Sequence, residues 1–337
     1  MTMSRYIVGR SQSNDSAESF GSSSSSATRR VIIRPLSTVG DAGKPSQSVT
    51  DDLKRVLDLI EDERHLVAYD LYRSVQSRFS KLKKQKDDYE QGKTVDITAS
   101  KRASLRKKNS TKEKIVASDR SVYYKLEELL RANKEELDQL MKRAPLLARS
   151  RDNMDEKEGW TLAQTLFGIT TYYRREKDGS LSIKVEGELK GLPLFEQLAV
   201  LREIDLHCHW APFVTSSLTL GNLGKLDTVG WIMLGLPNFG IARDSCFRAI
   251  GCDCVAEDGS VLIVGRGVQD NVTGTPEQDE VSRFLSDDPV LKTLDIPPVP
   301  TRIGSGRMTL KMFEAKIKVL GPDHCHTYIL ANVNPNL

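Results

Sequence analysis

The sequence predicts an α+β chain in which a helical region precedes a large antiparallel sheet, and three observations carry that prediction. Between residues 50 and 144 the apolar side chains recur at three- and four-residue steps, which places them on one stripe of a helix. From residue 169 onward they alternate with polar side chains, the period of a strand with one buried and one wet face. Asp178-Gly179 and Asp258-Gly259 separate alternating runs, and Asp-Gly accepts the positive φ angles of a tight hairpin, so neighbouring runs pair antiparallel.

Residues 1–48 precede both regions and contain Ser22 to Ser26 in a row, with few large apolar residues. Such a composition buries too little surface to offset the entropy of ordering, which predicts a disordered tail. The helical region, residues 49–150, is read as two helices. The first covers about 50–86, with Thr50 as its cap, Asp51 and Asp52 in its first turn, and a face formed by Leu53, Val56, Leu57, Ile60, Val67, Leu71, Val75 and Phe79. The second covers about 119–144, with Leu126, Leu129, Leu137, Leu140 and Ala144 on one stripe and Pro145 just beyond its end. These stripes pack on each other and on the following domain, or else form a coiled-coil surface for a partner protein.

The segment joining the two helices, 81–118, is strongly basic; from 81 to 120 there are thirteen Lys or Arg against six acidic residues. A run of this kind is a solvated linker, and its cluster Lys101, Arg102, Arg106, Lys107 and Lys108 also suits an anionic membrane surface or nuclear targeting.

Strands are expected at 169–175, 181–189, 216–220, 228–236, 245–256, 260–268, 308–320 and 327–333, with a helix following Pro193. In 308–320 the apolar face switches from Met308, Leu310 and Met312 to Phe313, Ala315, Ile317 and Val319, which predicts a bulge near Met312. Pro289, Pro297, Pro298 and Pro300 mark an irregular insertion.

With 337 residues, 39% hydrophobic and 28% charged, the chain has room for one large domain and a smaller region. A net charge of +3 argues against nucleic acid as the partner. No apolar run reaches the length of a membrane span, and no secretory h-region opens the chain, so a cytoplasmic protein, peripheral at membranes, is expected. Five cysteines suit reduced thiols rather than disulfides. The phosphate-cradling and nucleophile-elbow motifs of enzymes are missing, so the chain reads as a non-enzyme without a cofactor. His207-Cys208-His209, Cys252-Asp253-Cys254 and His324-Cys325-His326 offer metal-ligating atoms but lack the two-residue spacing of zinc ribbons, and the reading is no metal.

From 153 to 337 the chain resembles a START (steroidogenic acute regulatory protein-related lipid transfer) domain. The resemblance rests on Gly159-Trp160 opening the first strand, Tyr172-Tyr173-Arg174-Arg175 ending the second, and a helix closing on Trp210 ahead of Pro212. Pro237 followed by Arg243-Asp244, and the terminal run from Tyr328 to Pro335, add to it. The resemblance implies a helix-grip fold: a curved antiparallel sheet around a C-terminal helix, with a tunnel for one lipid between them. That grip helix is expected to be missing, because Leu337 stands where it begins.

The function so implied is to bind a sterol, phospholipid or sphingolipid and to transfer or sense it between membranes. The alternative is a scaffold without transfer, recruiting partners through its helices and basic segment. Ceramide-binding members have Arg and Glu around the helix tryptophan, where His207 and Ala211 stand here, so ceramide is not supported. Arg248 is one residue out of register with the arginine of sterol-binding members, and it is read either as a headgroup contact or as half of a salt bridge. Trp231, Met233, Phe313 and Tyr328 join Arg248 as the lipid-lining expectation, chosen by alternation.

Overall fold

A computed structural model describes residues 48–91, 120–154, 158–236, 240–268, 291, 293–301 and 305–334. The Ser-rich tail before residue 48 and the cluster Lys101, Arg102, Arg106, Lys107 and Lys108 lie outside the described residues.

Each expected helix is divided in two. The first becomes α1 (Val49–Glu61) and α2 (His65–Glu90), separated where Glu63 takes a positive φ of 58° that no helix continues. Ser48, not Thr50, caps α1, its Oγ accepting the Asp51 amide at 3.3 Å. The second becomes α3 (120–132) and α4 (Lys134–Asn153), separated at Asn133, whose side-chain amide donates back to the Leu129 carbonyl at 2.8 Å. Pro145 does not end the second helix but lies inside α4. Leu146 and Leu147 just beyond it are buried at 8% and 0% exposure, so packing carries the helix past the missing amide donor. The stripes pack on each other: Leu53, Val56, Leu71, Val75, Leu126, Leu137 and Leu140 form one buried cluster.

The sheet has ten strands: β1 (Thr161–Leu166), β2 (Ile169–Arg175), β3 (Leu181–Lys190), β4 (Val214–Asn222), β5 (Asp227–Leu236), β6 (Ile241–Cys254), β7 (Ser260–Gly267), β8 (Ser305–Arg307), β9 (Thr309–Gly321) and β10 (His324–Asn334). Their spatial order is β1-β2-β3-β10-β9-β7-β6-β5-β4, every pairing on that path is antiparallel, and the short β8 joins β6 in parallel. The architecture is α+β with a large curved antiparallel sheet, as expected. Asp178 makes the β2–β3 turn by accepting the Ser180 amide at 2.9 Å, with Gly179 at φ 80°. The bulge falls at Lys311, since Asn332 pairs with Met312 and Val333 with Leu310. It returns Leu310 to the face of Phe313 and leaves Met312 on the other.

Register divides the sheet into two faces. One carries Ile250, Cys252, Cys254, Leu262 and Val264, which pack against Leu147 of α4 and Leu66 of α2. The same face, towards β4 and β5, carries Val229, Trp231 and Cys246 beneath Leu291, Leu294 and Ile296 of the irregular segment. This is the covered face. The opposite, open face carries Ile183 and Val185 of β3, Ile329 and Ala331 of β10, Ala315 of β9, and Ile263 of β7.

Candidate functional site

The open face is apolar across its middle strands, and Ile183, Val185, Ile263, Phe247 and Ile329 on it are only half buried. Alternation along antiparallel strands produces such a face wherever every second residue is apolar, and here neighbouring strands align their apolar positions: Ile329 lies opposite both Val185 and Ala315, and Ala315 opposite Ile263.

An arm crosses this face. It consists of α5 (Leu194–Arg202), a 3₁₀ turn (Ile204–Leu206) and the four-residue α6 (His207–Trp210). Ile204 anchors it, buried to 2% exposure over Gly230, where a Cβ would come within 2.4 Å of the Ile204 Cδ1. Gly230 is therefore required for close approach rather than for backbone freedom. Polar ties fix both ends of the arm. Thr327 Oγ1 donates to Gln197 Oε1 at 2.9 Å, and the Thr219 amide donates to Asp205 Oδ1 at 2.6 Å. Cys208 and Ser217 add a further bond, from the Cys208 amide to Ser217 Oγ at 3.1 Å. The arm leaves Phe195, Val200, Leu206 and Trp210 exposed, at 82%, 47%, 52% and 52%, and Phe213, just beyond it, is exposed at 65%. An apolar sheet face and a tethered arm with exposed large apolar side chains together offer a surface for a water-insoluble body.

The five residues expected to line a cavity are not brought together. Trp231, Met233, Arg248 and Tyr328 point to the covered face, and Phe313 alone points to the open one. Arg248, at 1% exposure, forms the salt bridge of the two readings given above: its Nε and Nη2 donate to Asp227 at 3.0 and 2.8 Å, and Arg143 of α4 donates to the same carboxylate at 2.7 Å. Trp231 donates its indole N–H to Asp244 Oδ2 at 2.8 Å, and Arg307 grips that carboxylate at 2.7 and 3.1 Å. Tyr328 stacks on His326 with ring centroids 4.2 Å apart.

The alternation that selected these residues is real but equal for both faces. Of the half-buried apolar residues of the open face, Phe247 and Ile329 stand next to Arg248 and Tyr328 on β6 and β10, whereas Ile183 and Val185 lie on β3 and Ile263 on β7, strands from which no lining residue was expected.

One cluster of titratable groups lies where the helices meet the sheet. Burial works to raise the Glu63 carboxyl, but His65 and the amides of Leu226 and Lys225 outweigh it and hold the group below the usual carboxylate value. A cleft of about 410 Å³ opens between the helices, lined by Ile60, His65, Gln139 and Arg143 among others, with Glu135 and Glu136 also on it. Among the described residues no group of three or more His, Cys, Asp or Glu is placed to hold a metal ion, and no helix is long and apolar enough to cross a membrane.

No protein-family model matches the sequence, and no curated protein matches it. Solved structures that the fold is similar to include human STARD10, at 19% identity over 57% of this chain and 67% of that one, with a TM-score of 0.42. Human StAR-related lipid transfer protein 5 is similar at 14% identity over 58% of this chain and 83% of that one, with a TM-score of 0.41. The lipid transfer and protein localization domain of human StarD13 is similar at 12% identity, over 57% and 83%, with a TM-score of 0.37.

Proposed function

We propose that the chain binds one lipid between the open face and the arm, and carries it to or from a membrane. The observation behind this reading is the apolar middle of the open face, where Ile183, Val185, Ile263 and Ile329 are left half buried around the fully buried Ala315. The motif resemblance from Gly159 to the terminal Asn-Pro run points the same way. Removing a ligand's apolar surface from water contributes roughly 25 cal/mol per Å², so a sterol body or an acyl chain is retained without many polar contacts. In the same proposal the basic cluster at 101–108 draws the chain to anionic bilayers, at about 1 kcal/mol per basic residue near the surface.

Native mass spectrometry of the purified full chain tests the reading, together with transfer of a fluorescent lipid between vesicles. Co-purified lipid and measurable transfer are expected. Ile329→Glu, which places a charge at the centre of the open face, is expected to abolish both while the circular dichroism spectrum is kept. A folded wild-type chain that is empty and transfers nothing overturns the carrier reading in favour of the scaffold.

A further inference from the structure

Cys252 and Cys254 are the last two covered-face positions of β6, and their sulfurs stand 3.6 Å apart, buried at 0% and 4% exposure. Residues two apart on a straight strand share a face but keep their side chains separate. Here Cys254 leaves the strand conformation, at φ −118° and ψ 16°, and enters the turn Val255–Asp258 (α7), which brings the two thiols together. A second feature distinguishes Cys252. The N-terminus of α2, with its first backbone amides, lies beside this residue: Leu66 packs against the buried cluster that contains Cys252, and the Glu63 carbonyl just ahead of α2 accepts the Asp253 amide at 2.9 Å. These amides have no partner within their own helix, and with the helix dipole behind them they favour a negative sulfur.

We propose that Cys252 and Cys254 form a thiol–disulfide modification site, in which Cys252 is the nucleophile and Cys254 the resolving thiol. The co-reactant is a peroxide. The Cys252 thiolate attacks one peroxide oxygen, the O–O bond breaks, and the leaving hydroxide takes up a proton to become water, leaving a sulfenic acid on Cys252. The Cys254 sulfur then attacks the Cys252 sulfur, its thiol proton leaves with the sulfenic oxygen as a second water, and the S–S bond forms. Two thiols are oxidised by two electrons and one peroxide is reduced to two waters.

Thiol polarity follows the same division of roles. The Cys254 thiol, donating to Cys252, lowers the Cys252 group against burial, with the Leu66 and His65 amides helping. Its bond to Cys252, together with burial, raises the Cys254 group, so the proton resides on the resolving partner.

The sequence supplies a clean assay. Trypsin cuts after Arg248 and Arg266, and the peptide between them contains these two cysteines and no others. The full reduced chain is exposed to hydrogen peroxide, its remaining thiols are blocked with iodoacetamide, and it is digested. The expected result is this peptide two hydrogens lighter and unalkylated, restored by dithiothreitol, while the peptide with Cys246 stays alkylated. In Cys254→Ser, dimedone is expected to label Cys252; in Cys252→Ser, Cys254 is expected to remain a thiol. Full alkylation of both cysteines in the peroxide-treated wild type overturns the proposal, and so does a bond from either to Cys208, Cys246 or Cys325. Lipid retention is not read in this assay, so its outcome is separate from that of the carrier reading.

Discussion

Arg248 shows how one buried charge is made tolerable in a sheet. Its guanidinium fork matches the Asp227 carboxylate with two bonds, and Arg143 from α4 supplies a third donor to the same group. All three charges are largely desolvated, so truncating one partner leaves the others uncompensated, at a cost of about 3–5 kcal/mol. Arg248→Met is expected to lose stability of that order, measured by urea unfolding. Retained lipid is expected to survive in whatever fraction stays folded, because the side chain faces away from the open face. A variant that keeps full stability but loses its lipid would reassign Arg248 to the ligand. The charge and its apolar neighbours were legible in the strand; its partner was not, because Asp227 and Arg143 come from separate elements.

At the scale of the element, the arm is the informative part. Its sequence reads as a short amphipathic helix after Pro193, and nothing in that pattern says which face of which strand it crosses. Contact between Ile204 and Gly230 decides it, because only a residue without Cβ leaves room for the Ile204 methyl. Gly230→Ala is expected to cost about 1–3 kcal/mol through overpacking. Ile204→Val removes the clashing Cδ1 methyl, so the double variant is expected to recover part of that loss, a coupling that a thermal-unfolding double-mutant cycle measures directly. Strictly additive losses would mean the arm is not seated on Gly230. Helix boundaries follow the same logic: Pro145 signals a stop, and the burial of Leu147 against β6 and β7 overrides it.

Across the whole molecule, Glu63 is the rivet between the helices and the sheet. Its carboxylate accepts the Lys225 and Leu226 amides of the β4–β5 turn at 2.9 and 3.3 Å, its carbonyl accepts the Asp253 amide of β6 at 2.9 Å, and His65 lies 2.9 Å from its other oxygen. The folded carboxyl sits below its ordinary value of 4.5, so its contribution is fully present above that pH and is lost as pH falls through the folded value. Urea-unfolding stability is therefore expected to decline below about pH 4.5, and Glu63→Gln to flatten that decline while lowering stability at pH 7 by about 1–3 kcal/mol. An unchanged acid slope in Glu63→Gln would place the acid sensitivity elsewhere. The sequence by itself determined the periods: two stretches at helical spacing, the alternating runs, the Asp-Gly turns and the bulge beside Met312, because each depends on residues within a few positions. Tertiary structure alone decided which strand face meets the helices and which stays open. A period of two is the same seen from either side, and only the packing of Leu66 and Leu147 on β6 and β7, together with the crossing of the arm, distinguishes one side from the other.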